Sequence, residues 1–343
     1  MPPPLWRSQP RANPAIFFFS SSSAQCHDRD KKALLAFKDS FLSTSLDDTW
    51  LESTDCCSWD GHVLCDKDTG RVYYLQFSND KFSPGVRVSL NGSIPAAVGD
   101  LSALEVLMFS DLPALVGPIP PQLTKLKKLL TLSIIRTGVS GPVPPFLSKL
   151  SSLRQLDLGG NALSGTIPPS LGSLTRLTYI GLYDNQLTGT IPASLYSKLN
   201  KKYVAYLQLF GNKLTGRIPS SFGSVDFSQI DLFDNQLTGD ASFLLGKSKT
   251  NLEIVNLTRN GLEFDFSKVE FPESIKRLDI SRNKIYGSIP DQITQLRNLF
   301  WFDVSYNRLC GKIPSGGSFP LFDKKYYAHN KCLCGAPLQP CKK

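Results

Sequence analysis

Carboxylates are the side chains of this chain that could most readily do chemistry, because a pair of acids can hydrolyse a glycosidic bond. Asp157 and Asp231 lie three units apart in a repeat that runs along the chain. At the spacing of parallel strands this is about 14 Å, whereas the two carboxyl groups of glycosidases lie about 5–9.5 Å apart. The three histidines, His27, His62 and His329, complete no Ser-His-Asp or Cys-His pattern, and the sequence has no glycine-rich phosphate loop. We therefore expect no enzyme activity and no cofactor.

The eight cysteines form two clusters of four. The first is Cys26, Cys56, Cys57 and Cys65, and the second is Cys310, Cys332, Cys334 and Cys341. Even clusters at the two ends of a stacked fold predict disulfide-stapled caps, although four cysteines allow three pairings and sequence alone does not choose among them. The chain has no C-x2-C pair and no repeated Cys/His spacing, so we expect no metal site. Disulfides indicate an oxidising, secretory compartment.

These residues are positioned by a unit of about 24 residues that recurs from residue 71 to residue 314. Its clearest copy is LRQLDLGGNALSGTIP, from Leu153 to Pro168. The skeleton L-x-x-L-x-L-x-x-N-x-L is that of the leucine-rich repeat, so the sequence predicts an α/β solenoid, a right-handed superhelix of about ten repeats with a concave parallel sheet. The expected strand centres are Leu75, Leu107, Leu132, Leu156, Ile180, Leu207, Ile230, Val255, Leu278 and Phe302. Ten strands make a face about 45 Å long.

Alternation along each strand predicts which side chains this sheet presents outward. In Leu156-Asp157-Leu158 the leucines are expected to point inward and Asp157 to solvent. Tyr183, Phe210 and Phe233 occupy equivalent places in adjacent units and predict an exposed aromatic stripe of the kind enriched at interface hot spots. The predicted partner-binding residues are Ser133, Ile135, Gln155, Asp157, Tyr179, Tyr183, Asp184, Gln208, Phe210, Gln229, Asp231 and Phe233.

The pattern divides the chain into a signal-like or mis-assigned segment (1–24), an N-terminal cap (25–70), the repeats (71–314) and a C-terminal cap (310–343). No run approaches the roughly 20 apolar residues of a membrane span, so we expect no transmembrane segment. The sequons at Asn91 and Asn256 are candidate glycosylation sites. A net charge of +9 favours a polyanion as a partner, and the secretory cysteines disfavour nucleic acid.

The caps and the last third of the chain resemble one family in particular. The stretch Cys56-Cys57-Ser58-Trp59-Asp60-Gly61-His62-Val63-Leu64-Cys65 resembles the N-terminal cap of plant extracellular leucine-rich-repeat proteins. Further on, NKIYGSIP from Asn283, SYNRLCGKIP from Ser305 and NKCLCGAPL from Asn330 resemble the polygalacturonase-inhibiting proteins of plant cell walls. The resemblance covers roughly residues 26 to 341.

This resemblance implies a secreted, extracellular protein of the plant cell wall that binds and blocks fungal or insect endopolygalacturonases without covalent chemistry. It also implies binding to pectin (polygalacturonate), a monomeric protein, and the disulfides Cys26–Cys56, Cys57–Cys65, Cys310–Cys332 and Cys334–Cys341. The family's acidic concave pocket maps onto Asp157, but its next acid falls on Tyr183, with Asp184 one place further on.

Two alternatives remain open from the sequence. The shifted acid and an insertion around Ser83–Ser89 are compatible with a soluble regulator that binds a peptide or a receptor. Ice binding is the other alternative, because a relative of the family has antifreeze activity. Ice binding requires a flat, regular array of small polar side chains, whereas the predicted stripe is aromatic and irregular.

Overall fold

The computed structural model describes residues 24–59, 61–79 and 87–342. The expected N-terminal segment, except Ala24, lies outside the described residues, as does most of the insertion around Ser83–Ser89. No helix among the described residues is long and apolar enough to cross a membrane.

Ten parallel strands, one from each repeat, form the sheet that the sequence predicts. The ten expected strand centres all lie in these strands and are at most 1% exposed, because each inward side chain packs against those of the neighbouring coils. We number the coils 1 to 10 by these strands, which are Val72–Ser78, Val106–Gly117, Thr131–Pro142, Gln155–Asp157, Tyr179–Gly181, Ala205–Gln208, Phe227–Asp231, Ile254–Asn256, Arg277–Asp279 and Trp301–Asp303.

A second series of short strands follows the turn that recurs after each concave strand, and these strands form further, mostly parallel ladders. These strands are Leu90–Ser93, Ala162–Thr166, Gln186–Thr188, Thr215–Arg217, Gln236–Gly239, Gly261–Leu262, Tyr286–Gly287, Arg308–Lys312 and Cys332–Cys334. The long strands of coils 2 and 3 run from the first sheet into the second. We refer to this series as the second sheet.

Eight of the nine returns between the ten coils contain a 3-10 helix rather than an α-helix, and the return between Tyr179–Gly181 and Ala205–Gln208 has turns in its place. Six of these 3-10 helices follow a proline or start with one, because the ring fixes φ for a tight turn and lacks an N–H to pair. The 3-10 helices are Cys56–Ser58, Ala96–Asp100, Pro121–Lys125, Pro145–Lys149, Pro169–Ser173, Ser220–Ser224, Ser242–Leu244, Phe266–Lys268, Asp291–Gln295, Phe319–Leu321 and Lys324–Tyr326. Within the described residues, the one α-helix is Asp28–Lys38, in the N-terminal cap.

From coil 4 onward, the asparagine of each unit joins neighbouring coils through its side chain. Asn185 Nδ2 donates to Leu158 O of the preceding coil at 2.9 Å, and its Oδ1 accepts from Leu163 N at 3.0 Å. Asn161, Asn212, Asn235, Asn260, Asn283 and Asn307 repeat this arrangement. The asparagine side chain therefore satisfies backbone groups of two neighbouring coils by both donating and accepting.

The two caps close the ends of the core. The structure pairs the cysteines as the resemblance implies, Cys26–Cys56 and Cys57–Cys65 at one end and Cys310–Cys332 and Cys334–Cys341 at the other. The strands Ser43–Thr44 and Val63–Cys65 attach the first cap to the sheet in antiparallel fashion. Its helix is held by Asp30, which is fully buried and accepts from Arg71 Nε at 2.8 Å and from Val72 N at 2.9 Å.

Candidate partner-binding face

The outward side chains of the concave sheet form three rows that cross the coils, and the strand register aligns them. In coils 3 to 7, the first row is Thr131, Gln155, Tyr179, Tyr206 and Gln229. The middle row is Ser133, Asp157, Gly181, Gln208 and Asp231. The third row, just beyond the strands, is Ile135, Gly159, Tyr183, Phe210 and Phe233. All of the predicted partner-binding residues except Asp184 lie in these rows.

The third row carries the predicted aromatic stripe as a stacked ladder. The rings of Tyr183 and Phe210 lie 4.8 Å apart at 14°, and those of Phe210 and Phe233 lie 4.7 Å apart at 12°. All three are half-buried, because their faces cover one another and their edges remain open. Tyr183 lies over Gly159, where an added Cβ would come within 2.2 Å of its ring. The aromatic ladder (Tyr183, Phe210, Phe233) is therefore a rigid, preorganised surface.

The prediction that Asp157 points to solvent is wrong. Its side chain faces outward but is only 1% exposed. Gly181 leaves space in the middle row, and the Tyr179 ring fills this space, so that a Cβ on Gly181 would meet both Asp157 and Tyr179. Asp157 Oδ1 accepts from Gly159 N at 3.2 Å, and its Oδ2 lies 3.1 Å from the Tyr179 hydroxyl. Burial raises the pKa of Asp157 to about 6, against these hydrogen bonds and the charge of Arg136.

The Tyr179 hydroxyl also lies 2.8 Å from Gln208 Oε1. One hydroxyl proton serves one acceptor at a time. When Asp157 is protonated, its carboxyl group can donate to the Tyr179 oxygen, and Tyr179 can then donate to Gln208. Asp157, Tyr179 and Gln208 thus form one hydrogen-bonded chain across three coils.

Asp231 is buried as well, which corrects its expected exposure. Its side chain is 0% exposed, Oδ1 accepts from Phe233 N at 3.4 Å, and Oδ2 has no hydrogen-bond partner among the described residues. Burial raises the pKa of Asp231 to about 7, and the hydrogen bond from Phe233 N opposes this rise. Ser133, another predicted contact, is 1% exposed. Ser133, Asp157 and Asp231 therefore support the face from below rather than meeting a partner directly.

The exposed acids lie one position beyond the aromatic ladder. Asp184 and Asp234 follow Tyr183 and Phe233, and both have positive φ (49° and 55°) where the chain turns out of the strand. The Asp184 carboxylate lies over Gly211, where a Cβ would come within 2.2 Å of Oδ1. Burial and the charge of Asp234 raise the pKa of Asp184. The two acids therefore flank Gly211, the residue that follows Phe210.

Asp234 was missed by the sequence reasoning, although the signal was present. It precedes Asn235 as Asp184 precedes Asn185, and this position is exposed in both units. Tyr206, 38% exposed in the first row, was also missed. The remaining predicted residues, Ile135, Gln155, Tyr179, Gln208 and Gln229, are half-buried on the face.

The two sequons occupy different surroundings. Asn256 lies in the middle row of coil 8, is 5% exposed, and its Oδ1 accepts from Thr258 N at 3.3 Å. Asn91 is half-buried in the strand Leu90–Ser93, near the N-terminal cap and away from the three rows. A glycan on Asn256 would have to displace this packing and would cover the concave face.

Comparisons with known proteins agree with this architecture. Residues 27–66 match the family model for the leucine rich repeat N-terminal domain, and residues 152–174, 204–225 and 274–296 match the model for the Leucine Rich Repeat. The chain is 53% identical over 330 residues to a polygalacturonase inhibitor of Pyrus communis, covering 96% of this chain and 94% of the relative. It is 55% identical over 318 residues to polygalacturonase inhibitor 1 of Arabidopsis thaliana, covering 92% and 93%.

Among solved structures, a plant ice-binding protein superposes with a TM-score of 0.86 and is 41% identical. The match covers 93% of this chain and 99% of that protein.

Proposed function

Because the chain belongs to the plant polygalacturonase-inhibiting family of leucine-rich-repeat proteins, we propose that it binds an endopolygalacturonase through its concave face and blocks pectin cleavage without covalent chemistry. The proposed setting is the plant cell wall, reached by secretion, with a fungal or insect enzyme as the target and a monomeric inhibitor. The observation that carries the proposal is the rigid aromatic ladder bordered by Asp184 and Asp234.

The chemistry of the target supports this pairing. An enzyme that cleaves a polyanionic chain must present cations in its cleft in order to bind its substrate. Exposed carboxylates at Asp184 and Asp234 complement such cations, and the ladder beside them offers aromatic edges that order at little entropic cost. An inhibitor bound at the mouth of this cleft would then prevent the pectin chain from entering.

Binding to pectin is the second part of the proposal. The chain carries nine more basic than acidic residues, and the lateral rim of coils 3 to 6 exposes many of them. These are Lys127, Lys128, Arg154, Arg176, Lys201 and Lys202. A surface of this charge attracts polygalacturonate and would hold the inhibitor in the wall.

The test is inhibition of a panel of purified fungal and insect endopolygalacturonases. We expect Phe210→Ala, which removes the central ring of the ladder, to weaken inhibition of a sensitive enzyme by about 30-fold or more. The double change Asp184→Asn with Asp234→Asn should slow association and reduce its salt dependence. Tyr286→Ala is the matched control, because Tyr286 is 45% exposed on the second sheet. Equal inhibition by all variants would place the binding surface elsewhere, and no inhibition across the panel would favour the peptide- or receptor-binding regulator.

Ice binding, the activity named for the solved neighbour, is less well supported in this chain. The concave face is aromatic and irregular. On the second sheet, the hydroxyls of Thr188, Thr215 and Thr238 donate to carbonyls of the preceding coil at 3.3–3.4 Å. These hydroxyls do not form the flat, free array that ice requires.

A further inference from the structure

A groove lies at the C-terminal end of the solenoid, away from the aromatic ladder. It encloses about 430 Å³ between the last concave strand and the cap, and its apolar lining includes Phe300, Trp301, Phe302, Leu321, Phe322 and Tyr326. Phe300 is 66% exposed and Leu321 is 83% exposed. Neighbouring exposed apolar side chains of this size on a soluble protein indicate an interaction site.

Phe300 departs from the pattern of its own repeat. The register of the strands places it level with Lys276, Glu253 and Ser228 in coils 9, 8 and 7. All three of these residues are polar, and Lys276 and Glu253 form an ion pair at 2.8 Å. The repeat fold therefore does not require an apolar side chain here, and Phe300 gains nothing from the core.

The C-terminal cap covers the outer edge of the last concave strand. Trp301–Asp303 is the last strand of the concave sheet and pairs with Arg277–Asp279 on one side. Trp301 N donates inward to Lys276 O at 3.3 Å, so the N–H and C=O of Phe302 point to the outer edge, as alternate residues of a parallel strand do. Val304 N, also on this edge, donates to Tyr326 O at 2.9 Å. The cap thus covers this edge, and Phe302 is only 1% exposed, so the groove is open to a partner at Phe300 and Leu321 rather than along the strand.

The charges around the groove indicate which kind of partner it would bind. Arg297 lines it, and Lys325 Nζ lies 4.9 Å from the centre of the Tyr326 ring. Lys324 is exposed beside Lys325, while Asp323 caps the turn by accepting from Lys325 N at 3.0 Å. A segment that enters this groove would meet more cations than anions, and a second copy of this chain, itself +9, would be repelled.

We propose that this groove binds an acidic segment of another protein, which places an apolar side chain between Phe300 and Leu321. The exposed apolar side chains supply the anchor, and the surrounding cations supply the preference for an acidic sequence. The site is separate from the inhibitory face and does not depend on it.

The test is selection from a phage-displayed library of random heptapeptides on the whole protein, with counter-selection on a Phe300→Ser, Leu321→Ser double variant. The enriched peptides should combine an apolar residue with Asp or Glu. Each should bind the double variant about 30-fold more weakly than the wild type. Leu42→Ser is the matched control, because Leu42 is 92% exposed in the N-terminal cap, and it should bind like the wild type. Bound peptide should slow hydrogen exchange in the segments that line the groove, residues 297–301 and 321–326.

Several results would overturn the proposal. Enrichment of basic peptides, equal binding to the double variant, or no enrichment would each do so, as would exchange protection confined to coils 4 to 7. A dimer that the double variant abolishes would assign the groove to a second copy, and binding gained only after removal of residues 1–23 would assign it to the chain's own start. Polygalacturonase inhibition should be unchanged in the double variant, so the two functions can fail separately.

Discussion

The burial of Asp157 predicts that the stability contributed by its protonated carboxyl group is lost as the pH rises. The pKa of Asp157 is raised to about 6 and that of Asp231 to about 7, from an ordinary value of 3.8. A pKa above the unfolded value means that the native state keeps a proton that the unfolded chain has already lost. Stability is therefore highest below about pH 4 for these groups and falls as the pH rises to about 7. For Asp157 the full difference corresponds to at most about 3 kcal/mol at 1.36 kcal/mol per pKa unit.

The test is Asp157→Asn, which cannot ionise, keeps an oxygen that can accept from Gly159 N, and places an NH2 group that can donate to the Tyr179 oxygen. Thermal unfolding followed by circular dichroism between pH 4 and pH 8 should show a smaller fall in Tm for the variant. At an unfolding entropy of about 0.7 kcal/mol/K for a chain of this length, the variant should gain up to about 4 °C over the wild type at pH 8. Asp291→Asn, at an exposed 3-10 turn, is the control and should follow the wild type. Parallel curves of Tm against pH for Asp157→Asn and the wild type would refute the burial of this carboxyl group.

Three further predictions concern the cap, the glycans and the wall. Asp30→Ala should lower the free energy of unfolding by about 3–5 kcal/mol in denaturant titrations, because it leaves Arg71 partly buried without its acid; a loss below about 1 kcal/mol would contradict this. Glycopeptide mass spectrometry of secreted protein should find a glycan on Asn91 and none on buried Asn256, and an occupied Asn256 would refute the packing around it. Retention on polygalacturonate should fall steeply as salt rises to 0.1 M, where the screening length is about 10 Å, and equal retention on fully methyl-esterified pectin would exclude a charge-based interaction.

Features set within one repeat were predictable from the sequence. The spacing of Leu156 and Asn161 located the strand and the asparagine that bonds to the neighbouring coil, because the same contacts recur in coils 4 to 10. The two cysteine clusters likewise located the caps. In these cases the sequence of one repeat determines its local structure, and the same structure recurs in each stacked coil.

Features that depend on neighbouring coils were not predictable. Alternation shows that Asp157 faces outward, but its burial depends on Tyr179 filling the space above Gly181, about one repeat away. The same holds for Lys249, which is 6% exposed because its ammonium group donates to the carbonyls of Phe222 and Val225 in the preceding coil. Side-chain direction follows from a period of two, whereas burial requires the identity of the residues across the ladder.

The central claim, that the concave face is the inhibitory surface, is tested most directly by a hydrogen-exchange footprint of the complex with a sensitive endopolygalacturonase. We predict that amide exchange slows in the segments 155–160, 179–184, 206–211 and 229–234, and that Phe210→Ala reduces this protection. The second sheet and the 3-10 turns should exchange as in the free protein. Protection confined to those surfaces, with coils 4 to 7 unchanged in a fully inhibited complex, would contradict the account.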